Sequence, residues 1–188
     1  RMGIFPWFGE NEPILWWSPD PRLVLYPDEM RISRRLARII RQDRFYVTSD
    51  TAFEEVITAC ATVRRRQGPG TWIVDEMTDA YCRLFASGYA HSIEAWHNGQ
   101  LAGGLYGVSL GGSFFGESMF TRVANASKVA LAALCAFMKK NRFDFIDCQI
   151  SNDHLLSIGA REISRSVFLW ALEASIRRPT LRGTWDIR

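Results

Sequence analysis

The sequence predicts an α+β fold, a mixed β-sheet flanked by helices. Helical stretches precede three β-prone segments between residues 92 and 120, and the Asn98-Gly99 pair between the first two is a strong hairpin-turn signal. A helix and a strand follow, and that helix, residues 125–140, places Leu131, Leu134, Cys135 and Met138 at i, i+3, i+4 and i+7. A chain of 188 residues with 47% hydrophobic content can bury a substantial core in one main domain with an appendage.

Residues 14–17 and 23–26 are apolar and β-prone, and the turn Ser18-Pro19-Asp20-Pro21 between them is stiffened by two prolines. A helix follows from Ser33, with Arg31, Arg34, Arg35, Arg38 and Arg41 on one face and Ile32, Leu36, Ile39 and Ile40 on the other. A strand at 45–48 leads into a helix opened by Thr51-x-x-Glu54, which has capping-box spacing. After the loop 64–70 and Thr71-Trp72-Ile73, a helix runs from about Thr78 and stops at Gly88. Strands at 92–96, 101–108 and 113–120 form a meander, and the apolar helix 125–140 should be buried. A strand at 143–150, a short helix around Leu155 ending at Gly159 and an amphipathic helix over 164–177 complete the order. Residues 1–44 then read as the remnant of a small N-terminal domain carrying the basic helix, and 45–188 as the main domain.

No apolar run approaches the roughly 18 residues of a membrane span, and the N-terminus lacks the order of a signal peptide. A soluble, cytoplasmic protein without a membrane partner is expected. Cys60, Cys82, Cys135 and Cys148 form no C-x-x-C pair, which fits reduced thiols. The net charge of +3 is modest, but arginine is concentrated in the first 66 residues.

The run from Gly103 to Phe120 holds six glycines and a single carboxylate, Glu117, among aromatics. Interior glycine weakens a strand and often marks a bulge or a close ligand approach, so this run reads as the floor of a binding cleft. The competing reading is a glycine-rich hairpin with Glu117 at an exposed edge. Strand alternation puts Phe145, Asp147 and Gln149 on one face and Ile146 and Cys148 on the other. A carboxylate and an amide side by side could hold an amine in a fixed orientation; alternatively they are solvent-facing polar residues at a strand end. His91, His97 and His154 are scattered, so no metal site is expected. A nucleophilic Cys148–His154 pair is disfavoured because the thiol faces away from Asp147 and Gln149 and lacks electropositive surroundings. The arginine face suits a phosphate backbone, and Trp7, Trp16, Trp17 and Trp72 in the same half could stack on bases or pack in a core.

From residue 45 onward the element order is that of an N-acyltransferase-like (GNAT-like) domain. A coenzyme A-dependent N-acetyltransferase is the nearest enzyme of that order, but those enzymes cradle pyrophosphate on a glycine-bearing loop after the third meander strand. Here that loop is Arg122-Val123-Ala124-Asn125-Ala126-Ser127-Lys128, without glycine. A non-catalytic RNA-binding module is the rival from another class.

Several strings resemble the bacterial leucyl/phenylalanyl-tRNA-protein transferases: Gly3-Ile4-Phe5-Pro6-Trp7-Phe8, Ile14-Leu15-Trp16-Trp17-Ser18-Pro19-Asp20-Pro21-Arg22, Gly70-Thr71-Trp72-Ile73 and His91-Ser92-Ile93-Glu94. Gly116-Glu117-Ser118-Met119-Phe120, Asn125-Ala126-Ser127-Lys128, and Ile146-Asp147-Cys148-Gln149 with Asn152-Asp153-His154 continue the resemblance in family order. The resemblance implies transfer of Leu, Phe or Met from aminoacyl-tRNA to the α-amine of proteins beginning with Arg or Lys, an N-end rule step that marks them for degradation. By the same resemblance Trp7 and Trp72 would hold the terminal adenosine, and Leu105, Phe114, Met119, Leu131, Leu134 and Ile146 would line the aminoacyl pocket. Arg34 and Arg38 would touch the tRNA backbone, and Glu117, Asp147 and Gln149 would surround the reacting amine. Family members carry a further stretch before Gly-Ile-Phe-Pro-Trp, whereas only Arg1 and Met2 precede it here, so the small N-terminal subdomain is expected to be truncated. A monomer is expected.

Such a reaction is aminolysis of an activated ester and calls for no cofactor. An α-amine has a pKa of about 7.7–8.0, so a useful fraction is neutral at cellular pH. Gln149 is expected to accept a hydrogen bond from the amine, Asp147 to fix the Gln149 amide and pass the proton on, and Glu117 with Asp147 to attract the acceptor's cationic side chain.

Overall fold

The computed structural model describes residues 2–7, 13–62 and 73–187. Two short strands, β1 (Phe5–Pro6) and β2 (Trp16–Trp17), pair antiparallel as a separate two-stranded sheet. The remaining strands are β3 (Arg22–Leu25), β4 (Tyr46–Ser49), β5 (Ala90–His97), β6 (Gln100–Leu110), β7 (Ser113–Thr121), β8 (Phe145–Gln149) and β9 (Arg161–Ile163). They form one sheet in the order β4-β5-β6-β7-β8-β3-β9, antiparallel except for the parallel β7–β8 pair. The mixed α+β architecture is therefore as expected.

Helix α1 (Arg34–Arg41) is capped by the Ser33 hydroxyl, buries Leu36 and Ile39 and leaves its arginines in solvent. Helix α2 (Phe53–Thr62) lacks the expected capping box. The Thr51 hydroxyl donates instead to Glu94 Oε2 at 3.0 Å, because that buried carboxylate needs hydroxyl donors and also draws on Ser92 and Thr48. Helix α3 (Asp75–Ala86) begins three residues earlier than expected, with Asp75 and Glu76 at its positive N-terminal end. Helix α4 (Ala126–Lys140) joins β7 to β8 and is buried along most of its length, as its apolar composition requires. Short α5 (Asp153–Ser157) and α6 (Arg165–Ile176) complete the set.

The largest core cluster joins α4 to the sheet through Leu105, Phe114, Leu131, Leu134 and Ile146. A second joins α2 and α3 to the sheet through Val56, Ile57, Tyr81 and Tyr106, and a third packs Phe168 and Leu172 of α6 on Val24 and Phe145.

The expected N-terminal unit, residues 1–44, is shared between two sheets. Leu23, Val24 and Leu25 are all essentially buried: β3 lies between β8 and β9, Leu23 and Leu25 pack into the α4 cluster on one face and Val24 packs against α6 on the other. Strand β9 was not expected, since Arg161, Glu162 and Ile163 carry no alternation and become a strand only through β3. Among the described residues no helix is long and apolar enough to cross a membrane.

Candidate active site

The glycine run does form the floor of a cleft, although its glycines act differently from the expectation. A cavity of about 450 Å³ is lined by Leu105, Tyr106, Phe114, Gly116, Glu117, Ser118 and Met119 from β6 and β7, with Leu131 and Leu134 of α4 and Ile146, Cys148 and Gln149 of β8. Phe5 and Trp7 close one side. Of the six glycines only Gly116 lines this space. A Cβ at Gly107 would lie 2.2 Å from the Phe115 carbonyl oxygen and 2.6 Å from the Phe114 ring, so protein packing, not a ligand, excludes a side chain there.

Two breaks in the sheet aim the polar groups of this cleft. In the β6–β7 ladder Tyr106 faces Ser118 and Gly107 faces Gly116, which leaves Glu117 as the extra residue of a bulge. In the β3–β8 ladder Leu23 faces Gln149 and Val24 faces Asp147, so Cys148 is skipped, and Gln149 has a left-handed φ of 62°. That turn of the backbone cancels the alternation read from the sequence. Gln149 enters the cavity beside Ile146 and Cys148, while Asp147 stays on the side of Phe145 and α6.

Asp147 therefore does not share a face with Gln149. Fully buried, it receives Arg22 Nε at 2.8 Å and Nη2 at 2.7 Å in a two-pronged ion pair. Its Oδ1 also accepts the Gln149 backbone N–H at 3.0 Å, so it holds the main chain of Gln149 and not the side-chain amide. A carboxylate already committed to a guanidinium has little charge left for an incoming cation.

Glu117 remains the carboxyl of the cavity. Burial pushes it up to about 7, against hydrogen bonds from Tyr81 and Gln149 and the Arg22 charge, while the Asp147 charge adds to the rise. Tyr81, which the sequence reading missed, is itself raised by burial and by Glu117, so it stays a protonated donor. Its only sequence signal was a buried tyrosine on the inner face of a helix, which needs a partner for its hydroxyl.

All six predicted pocket residues, Leu105, Phe114, Met119, Leu131, Leu134 and Ile146, meet in the cavity. Trp7 is 45% exposed at its rim, with Trp17 edge-on at 5.6 Å and the Trp17 indole N–H on the Trp7 carbonyl at 2.8 Å. Trp16 and Trp17 are exposed, so core packing is not their role. Trp72 lies outside the described residues. Arg34 and Arg38 project from α1 into solvent, away from any described carboxylate partner. Cys148 and His154 also line the cavity, but burial pushes the thiol up, which disfavours a nucleophilic thiolate. Among the described residues no cluster of His, Cys, Asp and Glu could hold a metal ion.

Comparison with known proteins gives one family. The model of the leucyl/phenylalanyl-tRNA protein transferase matches residues 24–173, and that of the N-terminal domain of the same transferase matches residues 1–20. The leucyl/phenylalanyl-tRNA–protein transferase of Desulfatibacillum aliphaticivorans is 58% identical over 99% of this chain and 80% of its own length. That of Desulforapulum autotrophicum is 55% identical over 98% and 81%, and that of Chromobacterium violaceum 53% over 98% and 78%.

Proposed function

The chain belongs to the leucyl/phenylalanyl-tRNA protein transferase family, and we propose that it moves Leu, Phe or Met from aminoacyl-tRNA to the α-amine of proteins beginning with Arg or Lys. It is an aminoacyltransferase, acting in the cytoplasm as a monomer and marking its acceptors for degradation. Its seven-stranded sheet and helices serve as an N-acyltransferase-like catalytic unit, with the two-stranded sheet as an adjoining small domain.

The observation that carries this reading is one cavity that joins an apolar wall of Leu105, Phe114, Leu131, Leu134 and Ile146 to the side chains of Glu117 and Gln149. Leucine, phenylalanine and methionine are unbranched at Cβ. Leu105, Phe114 and Leu134 can therefore admit them ahead of Ile and Val, by about 1–3 kcal/mol. Trp7 and Trp72 stack on the terminal adenosine, and Arg34 and Arg38 bind the tRNA backbone.

The acceptor arrives as an ammonium. Glu117, titrating at about 7, is close in proton affinity to an α-amine and takes its proton. Gln149 accepts a hydrogen bond from the resulting amine and aims the nitrogen lone pair at the ester carbonyl. The C–N bond forms, the bond from carbonyl carbon to ribose oxygen breaks, and the second amine proton passes through water to that oxygen. Because the ester is already activated, the step consumes no ATP and requires no metal. Ionised Glu117 also attracts the acceptor's Arg or Lys side chain; Asp147, held by Arg22, does neither.

Labelled leucine offered on Leu-tRNA to two peptides, one with a free N-terminal Arg and one with acetyl-Arg, tests this. Transfer to the free peptide alone is expected, and bound tRNA without transfer would leave an RNA-binding protein.

A further inference from the structure

We propose that Arg22 is a positioning residue for the transfer step, holding Gln149 in its left-handed conformation through Asp147 and tying that strand to the Phe5–Trp7 rim of the cavity; the proposal rests on the transferase reading above.

A guanidinium only 1% exposed is costly unless it is paired, and here Nη1 is left without a hydrogen-bond partner among the described residues, so the fork and the ring contacts carry its burial. Two of its nitrogens are fixed on the two oxygens of Asp147. Its faces are covered by the Phe168 ring at 4.6 Å and the Phe5 ring at 4.8 Å, contacts that a planar guanidinium makes far better than an ammonium. Phe5 lines the cavity and lies two residues before Trp7, and its strand β1 is outside the large sheet, so Arg22 is a bridge between the two sheets.

The other end of the chain of contacts is Gln149. A left-handed φ on a non-glycine residue is strained and persists only where neighbours determine it. The neighbour here is Asp147 Oδ1, which receives the Gln149 N–H. With Arg22 in place that oxygen is held from one side by Nε and offers its remaining capacity to the amide. Without the fork the carboxylate is free to rotate, and the backbone is free to return to extended geometry. By strand alternation that return would carry the Gln149 side chain out of the cavity to the side of Asp147.

The test is Arg22→Lys in the full chain, with wild-type transfer to the Arg peptide as reference. A lysine keeps the charge and loses the fork and the ring stacking. The kcat is expected to fall about 100-fold, the effect of displacing a reacting group by about 1 Å, with KM for Leu-tRNA within about twofold. Combined with Gln149→Ala, Arg22→Lys is expected to add less than about threefold, because both changes act on one group. Wild-type kcat, a loss confined to KM, or a full additional loss in the double variant would overturn the proposal. If Arg22→Lys loses its cooperative melt, Asp147→Glu, which keeps a carboxylate on Arg22 but displaces it from the Gln149 N–H, replaces it with the same expectations. A wild-type chain that transfers nothing would defeat the transferase reading itself, whereas a wild-type chain that transfers and an Arg22→Lys variant that matches it would defeat this inference alone.

Discussion

Glu117 and Gln149 line the same cavity, although neither points there by regular strand geometry. One is the extra residue of a bulge in β7, the other the left-handed end of β8. The titrating carboxyl and the amide thus act on the same small volume, which gives the pH dependence below.

Transfer to an Arg peptide at saturating aminoacyl-tRNA should rise with pH through an inflection near 7, where Glu117 ionises. Glu117→Gln should lower kcat/KM by about 100-fold and remove that inflection. A pH–rate profile of both proteins checks it; an unchanged inflection in the variant would assign it to another group.

The same carboxyl costs stability at neutral pH. Its folded-state value, about 7, lies above the ordinary 4.5, so between those limits the unfolded chain ionises first and folding weakens as pH rises. Glu117→Gln should therefore melt above the wild type at pH 8, by of order 2 kcal/mol, with the gap closing toward pH 4. Thermal melts across that range decide it.

Leu131 is 3% exposed and lines the cavity from α4. Leu131→Ala should enlarge the apolar end and shift donor preference from Leu toward Phe by about 1–3 kcal/mol, roughly 5- to 150-fold. Competition between Leu-tRNA and Phe-tRNA measures the ratio.

Arg34 and Arg38 are solvent-exposed on α1. Replacing both by Ala should weaken aminoacyl-tRNA binding and lower the slope of log K against log salt by about 2, with kcat at saturation unchanged. A salt titration of binding provides the slope.

Trp185 lies flat on His91, ring centroids 3.7 Å apart, and packs on Phe114, Phe137 and Phe143. Its backbone N–H also reaches Asp50 Oδ2 at 2.8 Å. Trp185→Ala should destabilise the fold by about 3–5 kcal/mol in denaturant unfolding and, through Phe114, loosen the cavity.

Periodicity and turn chemistry determined most of the elements. The apolar face of α4, the Asn98-Gly99 hairpin and the arginine face of α1 are local properties, and the structure repeats them, with Arg34, Arg35, Arg38 and Arg41 on the helix and Arg31 just before it. The resemblance of whole strings to a family determined the pocket set, because residues 105, 114, 119, 131, 134 and 146 are too far apart in the chain for any local rule to join them.

Only the tertiary structure decided the polar half of the site. Strand alternation predicts Asp147 beside Gln149; the register break opposite Leu23 and the left-handed φ at Gln149 separate them. Nothing local to residues 145–149 contains that break, since it is held by Arg22, 125 residues away in sequence. Tyr81 behind Glu117 and the C-terminal Trp185 behind Phe114 have the same origin. A sequence fixes which groups prefer burial, but the partner that neutralises a buried charge or satisfies a buried hydroxyl is chosen by how distant elements meet.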